Sequence, residues 1–162
     1  MAEELIQILE DIMKKNPDKF RLVKSPEEIT NDKDVMQVVY GMENGAPIES
    51  KLSNIKLFSD MGINYITLAH SKSNHISDSS YDENKNWGGL SPFGREVVAE
   101  MNKQGVMIDI SHVSDAAFYE VLRLTKTPVI ASHSSLRHFV PGFERNVSDD
   151  MLRELAKNEG VI

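Results

Sequence analysis

Residues 105–133 read GVMIDISHVSDAAFYEVLRLTKTPVIASH, and the fold is easiest to predict from this segment. It contains two short apolar runs, Val106–Ile110 and Pro128–Ala131, whose length and Val/Ile content are typical of buried strands. Between them, Ser114 is placed to cap a helix over Asp115–Leu124. Two strands joined through one helix predict a parallel βαβ unit, because a parallel pair needs a crossover connection.

The same alternation continues on both sides of this segment. Further strands are predicted at Met36–Tyr40 and Tyr65–Leu68, and further helices over Ala2–Lys15, Ser50–Met61, Ser91–Gln104 and from Ser148 onward. A right-handed series of such units gives either a doubly wound sheet or a (β/α)8 barrel. The glycines of Gly41–Gly45 have the wrong spacing for a dinucleotide-binding turn, which disfavours the doubly wound dinucleotide fold.

Composition limits the classes of function. The chain has 162 residues, a length that predicts a single domain over 1–162, and its net charge is −7, which argues against a nucleic-acid partner. No run is apolar enough for a transmembrane segment, and the acidic start is unlike a signal peptide. If the parent protein is exported, its signal lies upstream, so the location stays unknown. Because there is no cysteine, any metal must be held by His, Asp or Glu.

Four consecutive predicted strands lead into a chemically capable side chain. These are Glu43, His70, His112 and His133. The carboxyl ends of parallel strands lie on one side of a sheet or barrel, so these side chains are expected to converge there. A single histidine at a strand end is more often structural than a ligand. Several at equivalent positions, with a carboxylate, favour a site for Zn²⁺ or a similar divalent ion.

The loops contribute weaker candidates. Residues 71–90 form a polar loop whose length is typical of a functional segment. His75 and His138 lie in polar loops and are interpreted as solvated, whereas Trp87 is interpreted as packing the loop rather than stacking on a ligand.

The chain resembles the membrane (renal) dipeptidases, a family of zinc-dependent TIM-barrel hydrolases. The resemblance covers nearly the whole chain and is densest over residues 41–150. The matching segments are GMENGAPI (41–48), YITLAHSKSN (65–74), GLSPFG (89–94), GVMIDISHVS (105–114), PVIASHSS (128–135) and RNVSDD (145–150).

The resemblance implies roles for individual residues. Glu43 would bridge two zinc ions, and His112 and His133 would complete the ligands of the second ion. His70 would contact the scissile region of a dipeptide substrate or its tetrahedral intermediate. Arg145 would bind the terminal carboxylate of the substrate, for which a guanidinium is well shaped. A hydroxide held between the metals would attack the peptide carbonyl.

The family pattern is incomplete in this chain. No His-x-Asp pair, which the family uses on its first strand, occurs here, and a (β/α)8 barrel takes about 250 residues. We therefore expect an internal, partial (β/α)8 barrel, lacking the first and last strands, with four complete strands and the start of a fifth at Val161. Unpaired strand edges predict a homo-oligomer. Zinc occupancy is expected to be partial at most, and dipeptidase activity of the chain alone weak or absent.

Two alternatives stay open at this point. One is a non-catalytic metal-binding or assembly module, and the other is a different TIM-barrel amidohydrolase. Upstream sequence separates the dipeptidase from the amidohydrolase, because the first carries a His-x-Asp pair and the second a His-x-His pair. Zinc stoichiometry tests the non-catalytic alternative.

Overall fold

The computed structural model describes residues 2–162. Its helices are α1 (Ala2–Lys15), α2 (Ser53–Asp60), α3 (Pro92–Gln104), α4 (Asp115–Leu124) and α5 (Asp149–Lys157). Its strands are β1 (Phe20–Leu22), β2 (Met36–Val38), β3 (Tyr40–Glu43), β4 (Ile63–Thr67) and β5 (Met107–Asp109). Short 3-10 helices lie at Pro26–Glu28, Ala46–Ile48 and Arg137–Phe139. None of the helices within residues 2–162 is long and apolar enough to cross a membrane.

The main sheet is parallel and follows chain order, β3-β4-β5. Its register places Glu43, Thr67 and Asp109 side by side in one row. Parallel bridges continue that row from Asp109 to Ile130 and from Ile130 to Val161. The predicted alternation of parallel strands with single helices is therefore confirmed, including the start of a fifth strand position at Val161.

The predicted strand Pro128–Ala131 is reduced to one bridge residue, Ile130. Proline has no N–H to donate to a neighbouring strand. The next amide, that of Val129, donates instead to the side chain of Asn158 at 2.9 Å. Pairing with β5 is therefore limited to the bridge at Ile130, and the segment lies next to β5 without forming a full strand.

The predicted strand Met36–Tyr40 is divided between two sheets. Met36–Val38 pairs in parallel with β1, a strand that the polar composition of residues 17–34 concealed, while Tyr40–Glu43 pairs with β4. The predicted end of the strand at Tyr40 is wrong, because Gly41, Met42 and Glu43 continue it. A Cβ on Gly41 would lie 2.0 Å from the ring of Tyr65, so glycine is needed there for close packing.

Helix ends follow their predicted signals. The side chains of Ser91, Ser114 and Ser148 each accept a hydrogen bond from a backbone N–H of the first turn, and so cap α3, α4 and α5. Helix α2 is shorter than the predicted Ser50–Met61, since it covers only Ser53–Asp60. A separate 3-10 turn over residues 46–48 precedes it. The helices and strands share one hydrophobic core, whose fully buried side chains include Phe118, Ile55, Ile66 and Ile108.

Candidate metal and active site

The structure brings the four strand-end side chains together at the carboxyl ends of the parallel strands. The Oε1 atom of Glu43 lies 3.0 Å from His112 Nε2, 2.9 Å from His133 Nε2 and 3.3 Å from His70 Nε2. The Nε2 atoms of His112 and His133 are 2.8 Å apart. Three imidazoles and one carboxylate therefore face a common point.

Two residues at this rim have left-handed backbone conformations. Asn44, directly after Glu43, has φ 85°, and His112 has φ 69°. Such values cost free energy in residues other than glycine and concentrate at functional sites. The loop of residues 71–90 supports the backbone of His112, because the amide and the hydroxyl of Ser80 donate to the His112 carbonyl at 2.8 and 3.0 Å. Ser79 donates its hydroxyl to the carbonyl of His70.

A buried carboxylate, Asp109, lies directly beneath the histidines. Its Oδ1 accepts the backbone N–H groups of Ser111 and Ser132, each at 3.0 Å. Its Oδ2 accepts the hydroxyls of Thr67 and Ser132, each at 2.6 Å. Burial opposes ionisation of Asp109, yet these four hydrogen bonds together hold its pKa below the usual value.

The three site histidines differ in the partner of their Nδ1 atom. His133 Nδ1 lies 2.7 Å from the hydroxyl of Ser132, and His70 Nδ1 lies 2.9 Å from that of Ser71. His112 Nδ1 is buried and has no hydrogen-bond partner in the described chain. Burial, with the charge of Arg145 and those of the other two imidazoles, lowers the pKa of His112 to about 4 against the opposing charge of Glu43. His112 is therefore neutral at pH 7, the form that binds metals.

Arg145 lies beside the histidines. Its guanidinium donates to the hydroxyl of Ser134 and to the carbonyl of His133, both at 2.7 Å. Burial lowers the pKa of Arg145, and the opposing charges of Tyr81, Asp109 and Glu43 offset this only in part. Its charge in turn lowers the pKa of His112. The planar fork has five N–H donors, so two contacts leave capacity for an anionic ligand.

The donor set fits a divalent metal. One ligand atom each from Glu43, His70 and His112 lies within 4.8 Å of the others. His133 Nε2 lies 2.8 Å from His112 Nε2 and 2.9 Å from Glu43 Oε1. Imidazole nitrogens with one carboxylate oxygen suit zinc and its neighbours in the transition series. Side chains that direct several lone pairs at one point repel one another unless a cation or proton lies between them.

The three loop residues considered in the sequence, Trp87, His138 and His75, lie in different environments. Trp87 donates its indole N–H to the carbonyl of Asn74 at 2.8 Å, so it packs the loop as predicted. His138 is exposed, next to Phe139. The interpretation of His75 as solvated is wrong: its Nε2 is buried without a hydrogen-bond partner among residues 2–162, because the ring stacks on Phe93 with centroids 5.5 Å apart.

Sequence reasoning missed the residues behind and beside the site. Asp109 and Thr67 are buried beneath the site, Ser132 donates its hydroxyl to Asp109 from the exposed side, and the ring of Tyr81 lies 6.0 Å from that of His112. A carboxylate inside the apolar run Val106–Ile110 was the available signal, since a buried charge requires partners. Nothing in the local sequence identifies Tyr81.

Comparisons with known proteins give one family. A model described as "Membrane dipeptidase (Peptidase family M19)" matches residues 1–162. Dipeptidase tcpJ of Claviceps purpurea is 36% identical over 165 residues, covering 97% of this chain and 37% of that protein. Dipeptidase 3 of Mus musculus is 32% identical over 166 residues, covering 100% of this chain and 33% of that protein. The chain thus spans about a third of the length of these curated relatives.

Solved structures show the same architecture. The probable dipeptidase PvdM from Pseudomonas aeruginosa superposes with a TM-score of 0.90 at 27% identity, over 96% of this chain and 41% of that one. An amidohydrolase from the same organism gives 0.89 at 31% identity, over 96% and 48%. The predicted fold class is confirmed: the alternating strands and helices are part of a TIM-barrel-type architecture. This chain belongs to the membrane dipeptidase family.

Proposed function

We propose that this chain carries the metal centre of a zinc-dependent dipeptidase, with Glu43, His112 and His133 as metal ligands. The observation that carries the proposal is the convergence of their Oε1 and Nε2 atoms within 2.8–3.0 Å of one another. Neutral imidazoles are required for this role, and His112, with a pKa of about 4, meets that requirement. Zinc bound at this centre supplies a water of low pKa and polarises a substrate carbonyl.

The remaining side chains have roles towards the substrate. His70 Nε2 lies 3.3 Å from Glu43 Oε1 and is about two-fifths exposed, so it can reach a bound ligand from the rim. We assign it to the scissile carbonyl, where its N–H stabilises the developing oxyanion. Arg145 binds the terminal carboxylate of the dipeptide through the donors that its two protein contacts leave free.

Zinc binding tests the metal ligands. We expect the purified chain to bind zinc, measured by titration calorimetry and by metal content after dialysis. His112→Ala and His133→Ala should each weaken zinc binding by tenfold or more. His138→Ala is the matched control, because this histidine is exposed, and it should bind zinc like the wild type. Failure of the folded wild-type chain to bind zinc would contradict the proposal.

The same experiment separates two roles for His70, which also belongs to the group of possible metal-holding residues. If His70 acts on the substrate, His70→Ala keeps its zinc but loses turnover. A loss of zinc as large as that of His112→Ala would make it a metal ligand instead.

The substrate class is tested at protein concentrations high enough to detect the weak turnover expected of the chain alone, by hydrolysis of a simple dipeptide and of the same dipeptide with its C-terminus amidated. Arg145→Ala should raise KM for the free dipeptide and leave KM for the amide unchanged, because only the first has a carboxylate to bind. Equal effects on both substrates would rule out the assigned role of Arg145. Turnover of a ring amide in preference to both would favour an amidohydrolase.

A further inference from the structure

We propose that Asp109 is a positioning residue that acts on His133 through the hydroxyl of Ser132. It fixes the imidazole in the tautomer that carries hydrogen on Nδ1, and so keeps the Nε2 lone pair directed at the metal centre. The use of that lone pair rests on the proposed function. The tautomer itself is a property of the metal-free chain and can be measured separately.

The first step concerns the direction of the hydrogen bonds to Asp109. The side chain is fully buried and accepts four hydrogen bonds, two from backbone N–H groups on Oδ1 and two from hydroxyls on Oδ2. An ionised carboxylate is an acceptor only. The hydroxyl hydrogens of Thr67 and Ser132 are therefore both directed at Oδ2.

The second step concerns the one hydrogen of the Ser132 hydroxyl. Because it is donated to Asp109 at 2.6 Å, the oxygen can only accept from His133 Nδ1, which lies 2.7 Å away. The hydrogen must then be on Nδ1, and in the neutral imidazole Nε2 has a free lone pair. This nitrogen is the one that faces Glu43 Oε1 at 2.9 Å and His112 Nε2 at 2.8 Å.

The hydroxyl is a necessary part of the relay. Asp109 Oδ2 is 4.0 Å from His133 Nδ1, which is too long for a direct hydrogen bond. Histidine ligands of metals usually donate their second N–H to a carboxylate, carbonyl or water, which orients the ring and increases its basicity. Here a serine extends the reach of a carboxylate that belongs to the neighbouring strand.

His133 differs in this respect from the other two histidines. His70 Nδ1 contacts the hydroxyl of Ser71, an exposed residue, and His112 Nδ1 has no hydrogen-bond partner among the described residues. Among these three histidines, the hydroxyl–carboxylate relay reaches His133 alone. We therefore expect one histidine tautomer to depend on Asp109.

Asp109→Asn is the decisive variant because it nearly preserves shape. The two backbone N–H groups on Oδ1 select the amide oxygen for that position, which leaves the NH2 group facing Ser132. The NH2 group then donates to the serine, whose own hydrogen becomes available to His133 Nδ1. The relay is inverted, and the hydrogen of the imidazole moves to Nε2.

The matched control is Thr67→Val, which removes the other 2.6 Å hydrogen bond to the same carboxylate oxygen without touching the relay. Ser132→Ala removes the relay in an exposed residue, so it tests the idea should Asp109→Asn fail to fold. Ser132→Thr restores a hydroxyl and should restore the wild-type behaviour.

The first measurement is the tautomer of His133 in the metal-free chain, by long-range nitrogen–proton NMR correlation at about pH 8, where ordinary histidines are neutral. We expect Nδ1–H in the wild type and in Thr67→Val, and Nε2–H in Asp109→Asn. The second is zinc affinity, which should fall about ten- to hundredfold in Asp109→Asn and Ser132→Ala. Thr67→Val should change it by less than about threefold.

The outcomes separate the two proposals. A wild-type His133 with hydrogen on Nε2, or one whose tautomer is the same in folded Asp109→Asn and in the wild type, overturns the relay. The expected change of tautomer without any change in zinc affinity supports the relay and overturns the assignment of His133 as a zinc ligand. Equal losses of zinc affinity in Asp109→Asn and Thr67→Val would show a general loosening of the site and would also overturn the relay.

Discussion

Substitution of Asp78 by asparagine is expected to loosen the long loop that supports the site. The Asp78 carboxylate is fully buried and accepts three backbone N–H groups of that loop. Oδ1 accepts those of Asn86 at 2.7 Å and Trp87 at 3.2 Å, and Oδ2 accepts those of Trp87 and Gly89, both at 3.1 Å. The substitution keeps the shape and replaces one acceptor oxygen by a donor.

The magnitude follows from the contacts that each orientation of the amide loses. With the NH2 group at the Oδ2 position, the N–H groups of Trp87 and Gly89 lose an acceptor, and in the other orientation those of Asn86 and Trp87 do. A hydrogen bond to a charged group contributes about 1.5–3 kcal/mol. Asn86 and Trp87 are exposed, so water replaces part of the loss. We expect Asp78→Asn to lower the free energy of unfolding by about 2–4 kcal/mol.

Urea denaturation monitored by circular dichroism measures this loss, and amide hydrogen exchange locates it. Protection should fall at Asn86, Trp87 and Gly89 before it falls in α3. The control is Glu83→Gln, which makes the same change of charge at an exposed position of the same loop. The reasoning is refuted if Asp78→Asn unfolds within about 0.5 kcal/mol of the control and the three amides keep their protection.

Two further predictions concern the packing of α3 and α4. Gly94→Ala should lower the free energy of unfolding by about 1–3 kcal/mol, although alanine favours helices, because its Cβ would lie 2.0 Å from the Ile76 carbonyl oxygen. Urea denaturation should show a larger loss of unfolding free energy than for Gly105→Ala, where φ is 70° but no atom lies within 4 Å of the added Cβ. Burial raises the pKa of Glu120, but hydrogen bonds from the Leu90 amide at 2.8 Å and from Arg95 at 2.6 Å outweigh it, so the pKa in the folded chain is lowered. The ionised Glu120 side chain therefore stabilises the fold above the unfolded pKa of about 4.3, and this stabilisation is lost as pH falls through the pKa of the folded chain. The difference in unfolding free energy between wild type and Glu120→Gln should thus be largest near pH 7 and shrink below about pH 4, and a difference that grows on acidification would contradict this.

The four converging side chains could be predicted because the rule that places them is insensitive to small errors. Parallel strands end on one side, so a polar residue a few positions past each strand reaches the same rim even when the strand limits are shifted. The strand before Glu43 was predicted to end at Tyr40 and in fact ends at Glu43 itself, yet the direction of the rim is unchanged. The prediction needs only the residues that follow each strand, and not the exact limits of the strands.

The layer beneath could not be predicted, because it depends on the register between strands. Asp109 was visible as a charge within an apolar run, but its hydroxyl partners lie 42 and 23 residues away in sequence. A shift of one residue in the pairing of β4 with β5 would point Thr67 to the other face. The side chains that orient a ligand are thus harder to infer than the ligand itself.

The loop of residues 71–90 also supports a side chain of the site without contributing a ligand. It contributes none of the metal ligands proposed here, yet Ser80 donates two hydrogen bonds to the carbonyl of His112, the residue with the left-handed backbone. Such a conformation persists only when its surroundings hold it. Asp78 organises the same loop, and its own carbonyl accepts the amide of Ser114, the cap of α4. We therefore expect the orientation of His112 to depend on Asp78, as we propose that of His133 depends on Asp109. Loss of either carboxylate should weaken zinc binding, measured by titration calorimetry, without removing a ligand.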